Sequence, residues 1–193
     1  MGQISILNWP HADRASSRLS VGGEYGLLVL DTQPIVQALA DIAELVAPGS
    51  TVVRRRFAEA VGDHDLGEET AAAEVLLAAL YDEDGGLEQA GMVWCDWGSE
   101  PAEIRDDLVQ LPCCPGALDW DWVDQFDEDD WDPDDIDSFL RPLAARCREL
   151  GVALITLDIE ADGYGLGFVP AEHGDRVAEL ARIARCDLRV VAP

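Results

Sequence analysis

The chain has 193 residues, of which 48% are hydrophobic, enough for one domain with a sizeable core. It carries 39 acidic and 13 basic residues, a net charge of −26, and every basic residue is Arg. The absence of Lys excludes Schiff-base chemistry and the lysine-dependent phosphate loop, and the negative charge opposes direct nucleic-acid binding.

The first half of the chain is predicted to be mainly helical. Thr32-Gln33-Pro34 is typical of a helix start, with a capping hydroxyl and a proline in the first turn. Apolar residues then recur at helical spacing through three segments. The predicted elements are strands at residues 3–9 and 26–30, followed by helices from Thr32 to Val46, from Ser50 or Thr51 to Val61, and from Glu68 to Tyr81.

The second half is predicted to alternate strands with helices. The apolar run 152–157 is typical of a central strand buried on both faces. Its short connection to 164–169 predicts an antiparallel hairpin, and the glycines of 164–169 indicate close packing against one face. The predicted elements are strands at 92–97, 152–158, 164–169 and 188–191, and helices from Glu100 to Leu111, up to Leu150 with Pro142 as a kink or in the first turn, and after Pro170.

These elements predict an α+β fold with a helical N-terminal half and a mostly antiparallel sheet covered by helices. No repeat or flexible linker divides the chain, so residues 1–193 are interpreted as a single domain. An acidic, Trp-rich segment occupies residues 119–137 of that domain.

Nearly all of the net charge lies in the middle of the chain. Residues 57–140 carry 26 acidic residues and one Arg, a net charge of −25. Within this block, acids and Trp residues are interleaved, which is unusual for a purely solvating run. The candidate partner-binding residues are Asp119, Trp120, Asp121, Trp122, Asp124, Asp127, Glu128, Asp129, Asp130, Trp131 and Asp132.

Two interpretations of this segment remain open. In the first, the Trp rings anchor a partner and the acids pair with its Arg or Lys side chains. In the second, Trp120, Trp122 and Trp131 fix the segment to the core while the acids face solvent. If the second holds, the binding surface is expected around Asp96, Trp97 and Tyr164, so the sequence offers two places for one function.

Metal and catalytic motifs are weak. Residues 158–163 match the opening of a calcium-binding loop, but Val169 occupies the position that requires a bidentate carboxylate. The histidines are not paired, and the five cysteines include no Cys-x-x-Cys motif. We therefore expect no cofactor, no metal and no catalytic residue. The alternative is a metal-dependent acidic enzyme that uses Asp96, Asp158 and Asp162.

The sequence carries no recognisable targeting signal. Residues 1–10 have no basic region, and no apolar run approaches the roughly 18 residues that span a membrane. An odd number of cysteines without an export signal is typical of a reducing compartment. We therefore expect a cytoplasmic protein with no membrane partner.

Two blocks of the second half resemble an uncharacterised bacterial domain family of unknown function. The first block is Met92 to Glu100, and the second is Leu154 to Pro170, where the family-like features are Asp158, Asp162, Tyr164 and the closing Val169-Pro170. The resemblance extends over about residues 70–190 and implies a small α/β bacterial fold without a known activity. The acidic Trp-rich segment departs from the family pattern, which points to a specialised role for it.

The charge pattern favours an acidic binding protein that masks a basic partner. The expected class is an immunity or antitoxin protein that neutralises a bacterial toxin. A toxin cleft for nucleic acid or nucleotides is positive, and an acidic inhibitor associates with it rapidly. The expected partner is a basic protein, such as a toxin encoded by the neighbouring gene.

Overall fold

The computed structural model describes residues 32–68, 70–81, 86–125 and 135–193. The strands predicted at 3–9 and 26–30 lie outside the described residues. The described helices are α1 (Gln33–Val46), α2 (Thr51–Asp63), α3 (Ala71–Leu80), α4 (Pro101–Leu108), α5 (Asp137–Glu149) and α6 (Gly174–Ala184). The described strands are β1 (Met92–Asp96), β2 (Val152–Ala161), β3 (Gly163–Pro170) and β4 (Asp187–Val190).

The four strands form one antiparallel sheet in the order β1-β3-β2-β4. β2 pairs with β3 on one side and β4 on the other, and only Asp162 separates β2 from β3 along the chain. This confirms the predicted common sheet, the central position of 152–158 and the antiparallel hairpin. The fold is α+β, as predicted.

Helices cover both faces of the sheet, and each face has its own hydrophobic core. The first core lies between the sheet and α1, α2, α3 and α6. The second core lies between the sheet and α4, α5 and the irregular residues 109–123. β2 supplies Ile155 and Leu157 to the first core and Leu154 to the second, so its apolar run is buried on both faces.

Along β3, large side chains face the second core and glycines face the first. Leu166 and Phe168 are buried in the second core, whereas Gly165 and Gly167 face the first. A Cβ atom on Gly167 would lie 2.7 Å from the backbone carbonyl oxygen of Gly91. The bare face of β3 therefore allows the close backbone approach that the sequence predicts.

Several helix ends differ from their predicted positions. Thr32 precedes α1, but its hydroxyl does not cap the helix. α3 begins at Ala71 rather than Glu68, because Asp65 forms a turn in which its carboxylate accepts from the Gly67 N–H at 3.0 Å. α2 is capped by Ser50, whose hydroxyl accepts from the Val53 N–H, as predicted.

The prolines of the second half also shift the boundaries. α4 ends at Leu108 rather than Leu111, since residues 109–111 form tighter turns ahead of Pro112. Pro142 lies inside α5 rather than in its first turn. Pro170 ends β3, and a short 3-10 helix precedes α6. None of the described helices has the length and apolar character needed to cross a membrane.

Candidate functional site

The described half of the acidic Trp-rich segment is attached to the second core. Val123 is buried, and Trp120 and Trp122 pack against the core while remaining partly accessible. The Trp122 ring lies 5.3 Å from that of Phe139, and the Arg146 guanidinium lies 4.4 Å from the centre of the Trp122 ring. The indole N–H of Trp122 donates to the Asp119 carbonyl at 3.1 Å. These contacts fix the Trp122 ring against α5.

Arg105 connects the same segment to α4. Its guanidinium donates to the Asp124 carboxylate at 2.6 Å and forms an ion pair with Asp106 at 2.9 Å. The hydrogen bond to Asp106, followed by the one to Asp124, raises the pKa of Arg105 above its ordinary value. This Arg is the single Arg or Lys of the block 57–140, and both of its acidic partners belong to the same block.

Acidic side chains are concentrated on α4 and on the segment that Arg105 joins to it. We define the acidic face as the α4 and segment carboxylates Glu100, Glu103, Asp106, Asp107, Asp119, Asp121 and Asp124. All of them except the partly buried Asp107 are exposed. Burial, followed by the charges of Asp106 and Glu103, raises the pKa of Asp107 above its usual range. One Arg therefore leaves this face strongly negative.

The predicted partner-binding residues divide into two groups. Asp119, Asp121 and Asp124 point to solvent on the acidic face, while Trp120 and Trp122 contact the core. The remaining predicted residues, Asp127, Glu128, Asp129, Asp130, Trp131 and Asp132, lie outside the described residues. Partner binding by any of these residues stays a prediction. Trp120 and Trp122 also pack against the core, as the second interpretation expects.

A groove of about 530 Å³ lies at one end of the sheet, on the α5 side. We call it the sheet-end groove. Its aromatic walls are Trp97, which follows β1, and Tyr164 on β3. Thr156 and Asp158 on β2 line it, as do Arg189 on β4 and Asp137 and Arg141 on α5. Its volume lies within the range of roughly 300–1,000 Å³ that is usual for ligand sites.

The strand register explains why these residues meet. Tyr164 on β3 pairs with Cys95 on β1 and with Asp158 on β2, so the ends of three strands coincide. The Trp97 N–H donates to the Asp162 carbonyl at 3.2 Å, which holds the Trp97 backbone beside the hairpin. Burial, followed by the negative environment of Cys95 and Asp96, raises the pKa of Tyr164, which keeps its hydroxyl protonated at neutral pH.

The two Arg residues of the groove are already paired. Arg141 donates to Asp137 at 2.9 Å, and Arg189 contacts Asp187 at 3.1 Å. The Asp158 carboxylate accepts from the Glu160 N–H at 2.7 Å. Among the described residues, no Arg or His forms an ion pair with Asp158. Asp158 is thus a groove carboxylate without an ion-pair partner in the part of the chain that the structure describes.

A metal site does not emerge from the described part of the chain. Asp96, Asp158 and Asp162 share one end of the sheet, but no group of three or more His, Cys, Asp or Glu residues that could hold a metal ion is found there. The Asp96 carboxylate instead accepts from the Gly98 N–H at 2.8 Å and so forms a turn after β1.

The cysteines are free thiols in apolar surroundings. Cys95 and Cys147 are buried, and Cys186 is partly buried. Burial raises the pKa of Cys95 and of Cys147 to about 12. Thiols of this kind are poor nucleophiles and behave as small hydrophobic residues.

Sequence reasoning located part of the groove in advance. It named Trp97, Tyr164 and Asp158, which line the groove, and Asp96, which precedes Trp97 at the same end of the sheet; all four come from the two blocks that resemble the family. It did not identify Thr156, Arg189 or the α5 residues as neighbours of those blocks. Two-residue alternation along β2 could have placed Thr156 beside Asp158, but the position of α5 depends on tertiary packing.

Comparison with protein-family models gives one match, to a domain of unknown function, DUF6630, over residues 38–191. The chain belongs to this family. The matched region begins within α1 and ends just after β4, so it includes the acidic face and most of both cores and of the sheet-end groove. Searches of curated proteins and of solved structures found no match.

Proposed function

We propose that this DUF6630 protein binds a basic protein partner through the acidic face and the adjoining residues 127–132, and masks that partner's positive surface. We further propose that it is an immunity or antitoxin protein and that its partner is a bacterial toxin encoded by the adjacent gene. The observation that carries the proposal is the imbalance on the acidic face, where seven carboxylates accompany one Arg, Arg105, which pairs with only two of them.

Electrostatics supports a binding role for this face. Clustered carboxylates repel one another, and the charges of Asp106 and Glu103 add to the effect of burial in raising the pKa of Asp107. A positively charged partner would relieve the repulsion and would be attracted over long range. The fold tolerates the cluster because Arg105, Phe139 and Arg146 hold the segment in place.

Rigidity of the described half also supports this role. Asp119, Asp121 and Asp124 extend from a backbone whose position is set by Trp122 and Val123. The Asp119 carboxylate accepts from the Asp121 N–H at 2.9 Å, which further defines the turn. Charges held on a fixed backbone lose less entropy on binding than charges on a loose tail.

The proposal is tested by co-expression with the protein encoded next door and by binding kinetics at two salt concentrations. The test variant combines Asp127→Asn, Glu128→Gln, Asp129→Asn and Asp130→Asn. It is expected to associate roughly tenfold more slowly at low salt, with a weaker salt dependence. The matched control combines Glu149→Gln, Glu160→Gln, Glu172→Gln and Asp175→Asn, which removes the same charge from exposed sites elsewhere.

A second variant, Trp131→Ala, tests for an anchoring ring. Loss of an aromatic anchor is expected to cost on the order of 2 kcal/mol in affinity, mostly through faster dissociation. Trp131 is preferred to Trp122 for this purpose, because Trp122 also packs on Phe139. Equal kinetics for wild type, charge variant and Trp131→Ala would reject the acidic segment as the binding element.

A further inference from the structure

The sheet-end groove combines an accessible Trp ring with a carboxylate that no described Arg or His pairs with. Trp97 is 53% exposed, more than any other large hydrophobic residue that the structure describes. An accessible Trp ring beside a groove offers a large stacking surface to a ligand or partner. Asp158 lines the same groove from β2, and Tyr164 forms an aromatic wall between the two strands.

Charge around the groove favours a cation over an anion. Arg141 and Arg189 are each compensated by a neighbouring Asp, whereas Asp158 is not paired with any described Arg or His. Asp96 and Asp162, both exposed, add negative charge at the same end of the sheet. An anionic ligand would meet Arg residues whose charge is already compensated, whereas a cation would meet the carboxylates of Asp158, Asp96 and Asp162.

We infer that the sheet-end groove receives an arginine side chain of the basic partner, with the guanidinium stacked on Trp97 and paired with the Asp158 carboxylate. A guanidinium is planar, stacks on aromatic rings and presents two parallel N–H donors to a carboxylate. Trp offers the strongest cation–π surface among the aromatic side chains. Lysine would supply the charge without the planar stacking.

The inference builds on the proposed function, because it identifies a contact made by the same basic partner. It adds a second binding element, formed by β1, β2 and β3, to the acidic face on α4 and residues 119–124. The two elements predict different behaviour. The acidic face sets the rate of association through long-range charge, whereas a desolvated stacked arginine sets the lifetime of the complex.

The experiment uses small probes, so that it does not depend on finding the partner. Nα-acetyl-arginine amide is titrated into the ¹⁵N-labelled full chain, and the backbone amide shifts of Thr156, Gly163 and Val190 are followed by NMR. The neutral isostere Nα-acetyl-citrulline amide and the lysine analogue are titrated in parallel. Saturable shifts in these groove amides are expected with the arginine probe in the millimolar range, and at least fivefold weaker binding with either analogue.

Two variants locate the contact. Trp97→Leu and Asp158→Asn are each expected to lower the affinity for the arginine probe at least threefold. Asn at 158 retains the acceptor for the Glu160 N–H, so the turn is preserved. The control is Asp175→Asn, which removes an exposed carboxylate from α6 and is expected to leave probe affinity unchanged.

The inference is overturned if the citrulline probe binds as well as the arginine probe, if the shifts map outside the groove, or if Asp158→Asn binds as wild type does. Probe binding is independent of the kinetic test of the acidic face. If wild type and the charge variant associate with equal kinetics while the groove still binds arginine, the proposed function alone is rejected. If the charge variant associates more slowly while the groove shows no preference for arginine, the groove alone is rejected.

Discussion

The two sides of the sheet are built in different ways. The first core is closed by four regular helices, and the ion pairs on that side, such as Arg54 with Glu44 and Arg176 with Asp41, balance locally. The second core is closed by α4, α5 and the irregular residues 109–123, with one Arg for seven carboxylates on the acidic face. Regular helices with local ion pairs on one side thus contrast with an irregular segment and a local excess of carboxylates on the other.

This difference indicates a division between scaffold and binding surface. A regular helix buries one stripe of side chains and leaves little freedom in what it displays. The irregular segment instead uses a few large contacts, mainly through Trp122 and Val123, to hold several carboxylates outward. We expect the second side to depend on a small number of anchors, which the following substitutions test in order of decreasing effect.

The largest effect is expected for Trp122→Ala. The substitution removes the ring that packs on Phe139 and lies under Arg146, so it should lower the free energy of unfolding by about 2 kcal/mol. Urea unfolding followed by circular dichroism measures the loss. The control is Trp97→Ala, which removes an exposed ring and should change stability by less than about 0.5 kcal/mol. Similar losses for both would show that Trp122 is not an anchor.

A smaller effect is expected for Arg105→Met. It leaves Asp106 and Asp124 without their partner in an already negative region, and we expect a loss of about 1 kcal/mol that grows at low salt. On the balanced side, Arg54→Met breaks the pair with Glu44 and should cost only about 0.3 kcal/mol. Unfolding at low and physiological ionic strength measures both. A larger loss for Arg54→Met would contradict the contrast between the sides.

The smallest effect is expected for Asp107→Asn, and its sign is opposite. The pKa of Asp107 is raised in the folded protein, so its stabilising contribution is fully present below the unfolded pKa and is lost as pH rises through the folded value. Asn does not ionise and so avoids the cost of a partly buried negative charge. The melting temperature should therefore increase at pH 7. The increase should fade as the pH drops below about 4, close to the unfolded pKa of Asp.

The outcome is checked by thermal melts from pH 3 to pH 7. Asp175→Asn serves as the control, because that carboxylate is exposed in the first turn of α6, where negative charge is favourable. It should not raise the melting temperature. If Asp107→Asn raised the melting temperature equally at all pH values, the effect would not come from titration of the Asp107 carboxyl.

The sheet was readily predicted from sequence, because its signals are local. The apolar run of β2, the glycine alternation of β3 and the short link at Asp162 determine a central hairpin without reference to the rest of the chain. Helix ends were predicted less well. Thr32 has the residue type of a cap without making the bond, and α4 stops short of Pro112, because hydrogen bonds at helix ends depend on local geometry.

The candidate site was only partly predictable. Charge and the interleaved Trp residues identify the segment, but sequence alone could not separate an anchoring ring from one that packs inward. The position of Trp122 depends on Phe139 and Arg146, which are contributed by α5 after the segment. The groove was harder still, since Arg141 and Arg189 reach it from elements far apart in the chain.

The strand order also has a consequence for how the chain folds. β2 and β3 are adjacent in sequence and pair as a hairpin, whereas β1 must join β3 across the whole stretch that contains α4, the acidic segment and α5. Closing that long loop costs more entropy than closing the hairpin. We therefore expect β1 to dock after the hairpin has formed. The second core, to which β1 contributes Val93 and Cys95, would then close after the central hairpin is in place.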